Sequence, residues 1–292
     1  MKSFALRLVL GMVATMLALA PLARGRTAFV VHKVDEAHLN GAVPTEPFFV
    51  LVVGSDARPG ETNGRGDALH LIGVNPALGR ATILNIPRDT YVPIAGRGRS
   101  KINDALEEGG PTLQARTVGE LVGVTVSFVV STDFAGFTGM VDELGGVDVD
   151  VPFPMNDSFS GARFAAGVNH LDGANALAFS RNRHIPDGDI RRSEDQGLLI
   201  LSALAKLHGD TSAATTIRHL AVLARHARLD GIGWRDAFRL GRLALSIDPA
   251  SVRTVTMPSS IGTAGAASVV FPAAGAESLF ADFRDDAVLE TH

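Results

Sequence analysis

The stretch Phe48-Phe49-Val50-Leu51-Val52-Val53-Gly54 sets the fold class of this chain. It is apolar at every position from 48 to 53 and stops at a glycine. A half-exposed strand or helix would carry polar residues at regular intervals, so this short uninterrupted run predicts a strand buried on both faces. A sheet built from such strands needs helices on both sides. The stretch therefore indicates an α/β domain.

The same pattern continues outward along the chain. Short apolar runs follow at 69–74, 81–86, 126–131, 147–151 and 178–183, and late ones at 252–257 and 268–271. Helical patterns lie between and after them at 111–122, 133–144, 190–207, 215–228, 234–246 and 274–283. Strands that alternate with helices predict one α/β domain whose sheet is covered on both faces.

Composition excludes several classes of site. The chain has 292 residues, 46% of them hydrophobic, which is enough to bury a large core. It contains no cysteine, so disulfides, zinc-thiolate sites and thiol nucleophiles are excluded. The formal net charge is only −4, and no basic stripe with interleaved aromatic residues is present, so we expect no nucleic acid partner.

The N-terminus has the pattern of an export signal or membrane anchor. Basic residues at positions 2 and 7 precede the apolar run Leu8–Ala23, and two arginines follow it. Ala18-Leu19-Ala20 resembles a cleavage site, but Pro21 comes next and favours retention of the segment as a single-pass anchor. Either outcome places the rest of the chain outside the cytoplasm. We therefore predict a protein of the cell membrane whose folded domain is extracytoplasmic.

Acidic and basic residues concentrate where the predicted strands end. They occur in Gly54-Ser55-Asp56-Ala57-Arg58, in Arg65-Gly66-Asp67 and in Ile86-Pro87-Arg88-Asp89. Each cluster alone also suits a simple turn. Three Asp/Arg clusters within 36 residues favour a site, since open α/β sheets build their sites at strand ends and buried charges require partners.

A second group of arginines comes later in the chain. If residues 178–183 are extended, Arg181 and Arg183 lie on one face, because strand side chains repeat every second residue. Arg192 and Gln196 share a face of the next helix, for which Asp189 is the expected N-cap. Two adjacent guanidinium groups repel each other unless an anion lies between them. Solvent-exposed arginines at a helix start are the alternative interpretation.

Together these residues suit phosphate chemistry. Arginines bind pyrophosphate oxygens, often in bidentate fashion. The carboxylates of Asp56 and Asp67 can hold a hard divalent cation such as Mg²⁺, which keeps several waters and bridges to substrate phosphates. Phosphoryl transfer depends mainly on such charge stabilisation and positioning.

Seven stretches in this order and spacing resemble the LytR-CpsA-Psr (LCP) proteins, which attach glycopolymers to peptidoglycan. They are GSDAR (54–58), RGD (65–67), IPRDTYV (86–92), KIND (101–104), VDELGGVDVDVP (141–152), AGVNHLDGANALAFSRNR (166–183) and DIRRSEDQ (189–196). The sequence departs from the family pattern at Asp195, where many members have arginine, and at Gly66 and Ala68, where hydroxyl residues are common.

The resemblance implies a central mixed sheet between helices and a chain divided into an anchor (1–26), a juxtamembrane spacer (27–46), the catalytic domain (47–210) and a completing segment (211–292). It implies a polyprenyl-pyrophosphate-linked glycan as donor, peptidoglycan as acceptor, and Mg²⁺, with Mn²⁺ as the alternative ion. The implied metal ligands are Asp56 and Asp67. The implied catalytic residues are Arg65, Arg88, Asp89, Arg181 and Arg183, and the implied pyrophosphate ligands are Arg58, Arg88, Arg181, Arg183, Arg192 and Gln196.

Two other functions fit the same residues. A pyrophosphatase would use the same site with water as the acceptor. A membrane-bound regulator would bind the lipid carrier without turnover.

Overall fold

The computed structural model of the chain describes residues 29–34, 45–56, 64–183, 188–209 and 213–290. The predicted membrane anchor lies outside these residues. No helix in the described part is long and apolar enough to cross a membrane. The strands are β1 Phe29–Lys33, β2 Phe48–Ser55, β3 Gly66–Asn75, β4 Arg80–Asn85, β5 Tyr91–Ile94, β6 Gly98–Lys101, β7 Val126–Asp133, β8 Val147–Val151, β9 Met155–Asp157, β10 Ala162–Phe164, β11 Gly167–Leu171, β12 Ala227–Asp230, β13 Val252–Thr256, β14 Ser259–Ala264 and β15 Ala267–Pro272. The helices are α1 Asp104–Val122, α2 Phe134–Glu143, α3 Gly173–Ser180, α4 Gly188–Gly209, α5 Ala213–His226, α6 Trp234–Ser246 and α7 Ala276–Asp286.

Within these ranges, seven strands form one mixed sheet in the order β12-β1-β7-β2-β3-β4-β13. The central strand β2 is parallel to β7 and antiparallel to β3. Strands β12 and β13, from the last third of the chain, form the two edges, each pairing in parallel with its neighbour. The predicted α/β fold with a central mixed sheet is confirmed.

The apolar run that opens the domain is buried on both faces. Phe49, Leu51 and Val53 face a core that includes α1 and α7. Phe48 and Val50 face a second core, which includes α6 and part of α4. Side chains alternate along a strand, so one continuous apolar run supplies both layers.

A third cluster of buried residues lies beside the sheet. It joins α2, the β8–β11 pair, α3 and Leu199 of α4. Val147, Val149 and Val151 of β8 point into this cluster, while the aspartates between them are exposed. This cluster and α4 support the segment that carries the second group of arginines.

The strand predicted at 178–183 is wrong. Residues up to Ser180 belong to α3, and Arg181 is its C-cap. The Asp172 carboxylate accepts a hydrogen bond from the Asn175 backbone N–H at 2.8 Å and caps the N-terminus. A short alanine-rich apolar run does not distinguish a strand from a buried helix by periodicity, and alanine favours the helix. Strand alternation therefore does not set the relative positions of Arg181 and Arg183.

Two further differences concern element boundaries. Part of the expected spacer, Phe29–Lys33, forms strand β1, because it pairs with β7 on one side and with the distant β12 on the other. Helix α1 begins at Asp104 rather than at Pro111. It is interrupted at Gly109 and Gly110, just before the proline, and the predicted helix is its second part.

Candidate functional site

A β-bulge brings Asp67 to the side of the sheet on which the site lies. Gly54 of β2 pairs with Ala68 of β3, whereas Ser55 pairs with Gly66, so Asp67 is an extra residue in β3. Without the bulge, Asp67 would share a face with Leu69, which is fully buried in the core beneath α1. The extra residue instead lets Asp67 line a cavity on the opposite face together with Ala68. Bulges of this kind often redirect a side chain beside an active site.

Arg88 lies just beyond β4 and forms an ion pair with Asp67. Its Nε is 3.7 Å from an oxygen of Asp89, and the other Asp89 oxygen is 3.0 Å from the Lys101 Nζ. Burial alone would lower the pKa of Arg88, but the charges of Asp67 and Asp189 outweigh it and raise that pKa. Arg88 therefore remains a cation in this half-buried position.

Asp89 contacts Arg88, and the residues that line the cavity include neither of the two. Burial raises the pKa of Asp89, an effect that the hydrogen bond with Lys101 partly opposes. The contacts of Asp89 with two cations favour a role in holding Arg88 in position.

The helix pair α3 and α4 supplies the remaining arginines. The Gln196 side-chain amide donates to the Ser180 backbone carbonyl at 2.9 Å and ties α4 to the end of α3. Within α4, Arg192 lies 3.0 Å from a carboxylate oxygen of Asp189. The Arg183 Nε is 3.6 Å from the same oxygen. One carboxylate thus partly neutralises two arginines.

Arg192 is the most buried arginine of the group, with 4% of its side chain exposed. Burial lowers its pKa to about 10, although the Asp189 charge opposes that shift. For Asp189, burial alone would raise the pKa, but Arg192 and Arg88 outweigh it and lower the pKa. The lowered pKa of Asp189 reflects the cations that surround this carboxylate, and such a cluster of cations is what a site for an anion requires.

A cavity of about 570 Å³ connects the two groups of predicted residues. Five of them line it: Asp67, Arg181, Arg183, Arg192 and Gln196. Its apolar wall includes Phe134, Phe137, Leu177, Leu199 and Ile200. The Arg181 guanidinium lies 5.3 Å from the centre of the Phe134 ring, where the charged and apolar parts meet. The cavity thus combines an anion-binding end with an apolar wall.

Asp56 and Arg65 are not among the residues that line the cavity. The Asp56 carboxylate accepts a hydrogen bond from the Arg65 backbone N–H at 2.7 Å, at the end of β2 beside the bulge. The Arg65 side chain is 57% exposed and pairs with Glu107 at 2.9 Å and with Asp104 at 3.5 Å. It therefore contacts acidic residues of α1, and the residues that line the cavity do not include it. Arg58 lies outside the described residues.

His70 lines the cavity but was not predicted. Its Nδ1 is 2.8 Å from the Asn85 Oδ1, and the Asn85 amide group donates to Thr254 at 3.0 Å and to Thr256 at 3.2 Å. This arrangement makes the Nδ1–H the donor to Asn85. Burial lowers the pKa of His70 to about 4, so the ring is neutral at pH 7. Strand alternation could have predicted this position, because Leu69 and Leu71 of β3 face the core and His70 between them faces the other side of the sheet.

Gly197 allows α4 to pack closely over this polar pair. A Cβ at this position would lie 2.3 Å from the Asn85 Oδ1 and 2.7 Å from the Thr254 Oγ1. The absence of a side chain thus fixes the distance between α4 and the sheet, and with it the position of Gln196 beside the cavity.

Three aspartates, Asp67, Asp133 and Asp157, line the cavity. Among the described residues, no group of three or more His, Asp or Glu side chains is arranged to hold a metal ion. Asp56 directly follows β2, and Asp67 lies at the start of the neighbouring strand β3. Both offer hard oxygen donors. Two carboxylates fit the mode in which Mg²⁺ takes most of its ligands from water and phosphate.

The chain is similar in sequence to known bacterial proteins. The chain is 39% identical over 166 residues to the polyisoprenyl-teichoic acid–peptidoglycan teichoic acid transferase TagU of Bacillus mycoides, covering 56% of this chain and 53% of that protein. It is 29% identical over 270 residues to the probable cell wall biosynthesis protein LcpB of Corynebacterium glutamicum, covering 87% and 65%. The chain thus spans about half the length of the TagU relative.

Solved structures share the fold. The crystal structure of Bacillus subtilis TagV matches with a TM-score of 0.70 and 26% identity, over 85% of this chain and 99% of that chain. A structure of TagT bound to LI-WTA matches with a TM-score of 0.68 and 25% identity, over 91% and 98%. The family model described as the LytR_cpsA_psr family matches residues 25–280. Because that match covers most of the sequence, the chain belongs to the LytR_cpsA_psr family.

Proposed function

We propose that this protein transfers a glycopolymer from a polyprenyl-pyrophosphate donor to a peptidoglycan hydroxyl and forms a phosphodiester link. The observation that carries the proposal is the convergence of Arg181, Arg183 and Arg192 with Asp67 in one cavity that also has an apolar wall. An amphipathic donor with a doubly phosphorylated head and a hydrocarbon tail suits such a cavity. The relatives named as teichoic acid transferase and as cell wall protein support this choice.

The charged end of the cavity suits the pyrophosphate. Among the described residues, Arg183 and Arg192 contact the same carboxylate, that of Asp189, so an incoming anion meets two cations that share one negative charge. Arg192 is already dehydrated by burial, which strengthens its attraction to a phosphate oxygen. Gln196 holds the adjoining turn in place through its bond to Ser180. The site is therefore organised before the donor arrives.

The apolar wall suits the lipid. Phe134, Phe137 and Leu199 belong to the elements that pack beside the arginines. Burial of hydrocarbon contributes roughly 25 cal/mol for each Å² removed from water, so even part of a polyprenyl chain adds several kcal/mol to binding. The lipid would thus give affinity, and the arginines would set the position of the phosphates.

Asp56 and Asp67 would hold a Mg²⁺ ion at the bulge. When bound, the ion would neutralise charge on the phosphate oxygens. Asp67 is also the partner of Arg88, so the same carboxylate would position a cation on each side. In the transfer step, the acceptor oxygen bonds to the sugar-linked phosphorus and loses its proton to solvent, the bond to the bridging oxygen breaks, and lipid monophosphate leaves. Arg88 and the buried Arg192 stabilise the charge that develops on the leaving group.

A reconstituted reaction tests the proposal. The purified full chain is incubated with a synthetic polyprenyl-pyrophosphate glycan, peptidoglycan and Mg²⁺. We expect a phosphodiester-linked product together with lipid monophosphate, and loss of both on chelation of the metal. Lipid monophosphate without linked product would instead indicate a pyrophosphatase. Donor binding without any turnover would indicate a regulator.

Asp67→Asn separates catalysis from binding. The substitution keeps the shape of the side chain but removes the charge that would hold the metal, so we expect transfer to fall by at least about 100-fold. Asp236→Asn is the matched control, because Asp236 forms a half-exposed ion pair with Arg239 on α6, and the residues that line the cavity do not include it. A thermal unfolding scan of both variants shows whether each is folded. Full activity of Asp67→Asn would refute the proposed role of this carboxylate.

A further inference from the structure

Side-chain contacts lead from the site to a surface outside the donor cavity. Arg88 contacts two carboxylates, those of the cavity residue Asp67 and of Asp89. The second oxygen of Asp89 lies 3.0 Å from the Lys101 Nζ. Lys101 of β6 pairs with Tyr91 of β5, so their side chains lie on one face of this two-stranded sheet. The residues that line the cavity include neither Lys101 nor Tyr91.

Tyr91 and Arg99 are at the centre of this surface. The Arg99 guanidinium lies 5.2 Å from the centre of the Tyr91 ring, and its Nη2 donates to the Tyr91 backbone carbonyl at 3.2 Å. Arg99 is exposed, and among the residues that the structure describes none forms an ion pair with it. The ring and the carbonyl thus hold the guanidinium in place while its charge faces solvent.

Phe271 of β15 extends the aromatic part of the surface. Its ring centre lies 6.0 Å from that of Tyr91, and the two ring planes meet at 76°. The Val270 backbone N–H donates to the Asp89 carbonyl at 2.9 Å and attaches β15 to this region. Gly262 of β14 leaves room for the phenyl ring, since a Cβ at that position would lie 2.9 Å from it. Both rings are half-buried, so they have fixed positions and keep part of their surface exposed.

We propose that a strip formed by Tyr91, Arg99, Lys101 and Phe271, here called the acceptor strip, binds the glycan strand of the peptidoglycan acceptor. The inference rests on the proposed function and adds the place where the second substrate is held. Sugar rings have apolar C–H faces that pack on aromatic rings, and their polar edges accept hydrogen bonds from basic side chains. The carboxylates of peptidoglycan stem peptides complement the charges of Arg99 and Lys101.

The direction of attack favours the acceptor rather than the donor glycan as the occupant. In phosphoryl transfer, the attacking and leaving oxygens lie roughly in line with the phosphorus. The proposed function places the leaving lipid phosphate among the arginines that line the cavity, so the acceptor oxygen approaches from outside the cavity. The contacts from Asp67 through Arg88 and Asp89 connect the cavity to the acceptor strip. A glycan strand on the strip is therefore held where in-line attack requires it.

Titration with a soluble acceptor fragment tests the acceptor strip. The ligand is an uncrosslinked glycan strand of a few disaccharide units that carries stem peptides, and it is added to the full chain without donor. We expect saturable binding in isothermal titration. Arg99→Gln should raise the Kd at least about fivefold, because the variant loses the exposed charge of the strip. Tyr91→Leu, which keeps an apolar side chain but removes the ring, should raise the Kd to a similar extent.

Arg97→Gln is the matched control. Arg97 lies in the turn between β5 and β6 and is exposed like Arg99, but it forms an ion pair with Glu108 of α1 at 2.7 Å. Both variants remove one positive charge from the same hairpin, so a general effect of net charge would weaken binding equally in both. We expect Arg97→Gln to change the Kd by less than about twofold. The inference is overturned if Arg99→Gln binds as tightly as the unsubstituted chain, or if the unsubstituted chain does not bind the fragment at millimolar concentration.

Transfer kinetics separate this inference from the proposed function. In the reconstituted reaction, Arg99→Gln should raise the KM for peptidoglycan at least about fivefold and leave the KM for the donor within about twofold. An unaltered acceptor KM in a variant that still forms product contradicts the acceptor strip but not the transfer reaction. Absence of product from the unsubstituted chain contradicts the proposed function, and the titration then still decides whether the strip binds the glycan. Binding of lipid-free donor glycan to the strip in place of the peptidoglycan fragment would show that the assignment to the acceptor is wrong.

Discussion

Replacement of Asp189 by asparagine should make the protein less stable and at the same time a better binder of pyrophosphate. The Asp189 carboxylate lies 3.0 Å from Arg192 and 3.6 Å from Arg183, and it also raises the pKa of Arg88. Removal of its charge takes away the carboxylate that Arg192 and Arg183 both contact, so the repulsion between these two cations is less compensated. The same change removes a negative charge that repels an incoming anion and that competes with it for the arginines.

The expected loss in the free energy of unfolding follows from the burial of Asp189 and its partners. Loss of one partner of a fully buried ion pair costs about 3–5 kcal/mol, because the other charge remains in a medium of low dielectric constant. Asp189 is 23% exposed, and asparagine can still accept a hydrogen bond from Arg192, so we expect a loss of about 2 kcal/mol. For binding, loss of one adjacent negative charge should tighten inorganic pyrophosphate about tenfold, or roughly 1.4 kcal/mol.

Two measurements check the prediction. Urea unfolding at pH 7.5 gives the free energy of unfolding. An m-value equal to that of the unsubstituted chain shows that unfolding exposes the same amount of surface in both proteins. Isothermal titration with inorganic pyrophosphate gives the Kd. Asp236→Asn, which breaks the half-exposed pair with Arg239, should change stability by no more than about 1 kcal/mol and leave the Kd unaltered. Weaker pyrophosphate binding by Asp189→Asn would refute the interpretation of this cluster as an anion site.

Two further predictions concern stability. Asp195 is fully buried, and burial raises its pKa to about 7. The folded protein therefore binds more protons than the unfolded chain between about pH 4 and 7, so the free energy of unfolding falls as the pH rises through this interval. Asp195→Asn should flatten this dependence on pH. In urea unfolding at pH 8, the variant should be more stable by about 2–4 kcal/mol. Unchanged slopes would contradict this account. Gly73→Ala should destabilise the protein by about 3 kcal/mol or more, because the new Cβ would lie 2.2 Å from the Ala287 carbonyl oxygen. Gly139 lies on α2 with open space around it, so Gly139→Ala should stabilise the protein by about 0.5–1 kcal/mol in the same assay. Equal effects of the two alanines would show that the close contact at Gly73 is not rigid.

The sequence by itself determined the fold class and pointed to charged residues that the fold brings together. The apolar run from Phe48 to Val53 required cover on both faces, and the structure provides it from two separate cores. Asp67 and Arg88 were predicted from their positions at strand ends, and they form an ion pair in the fold. Local patterns are sufficient for such inferences because burial and strand alternation act over a few residues.

Only the tertiary structure decided which of these charged residues share a space. The bulge that turns Asp67 toward the cavity depends on the pairing between β2 and β3, and the pairing of Arg65 with Glu107 depends on where α1 packs. The sequence also misassigned the segment around Arg181, because a short apolar run fits a helix or a strand equally well until its neighbours are known. The common reason is that the direction of a charged side chain is set by contacts with residues distant in sequence. A local stretch of sequence shows that a charged residue follows a strand. It does not show which distant residues contact that side chain and set its direction.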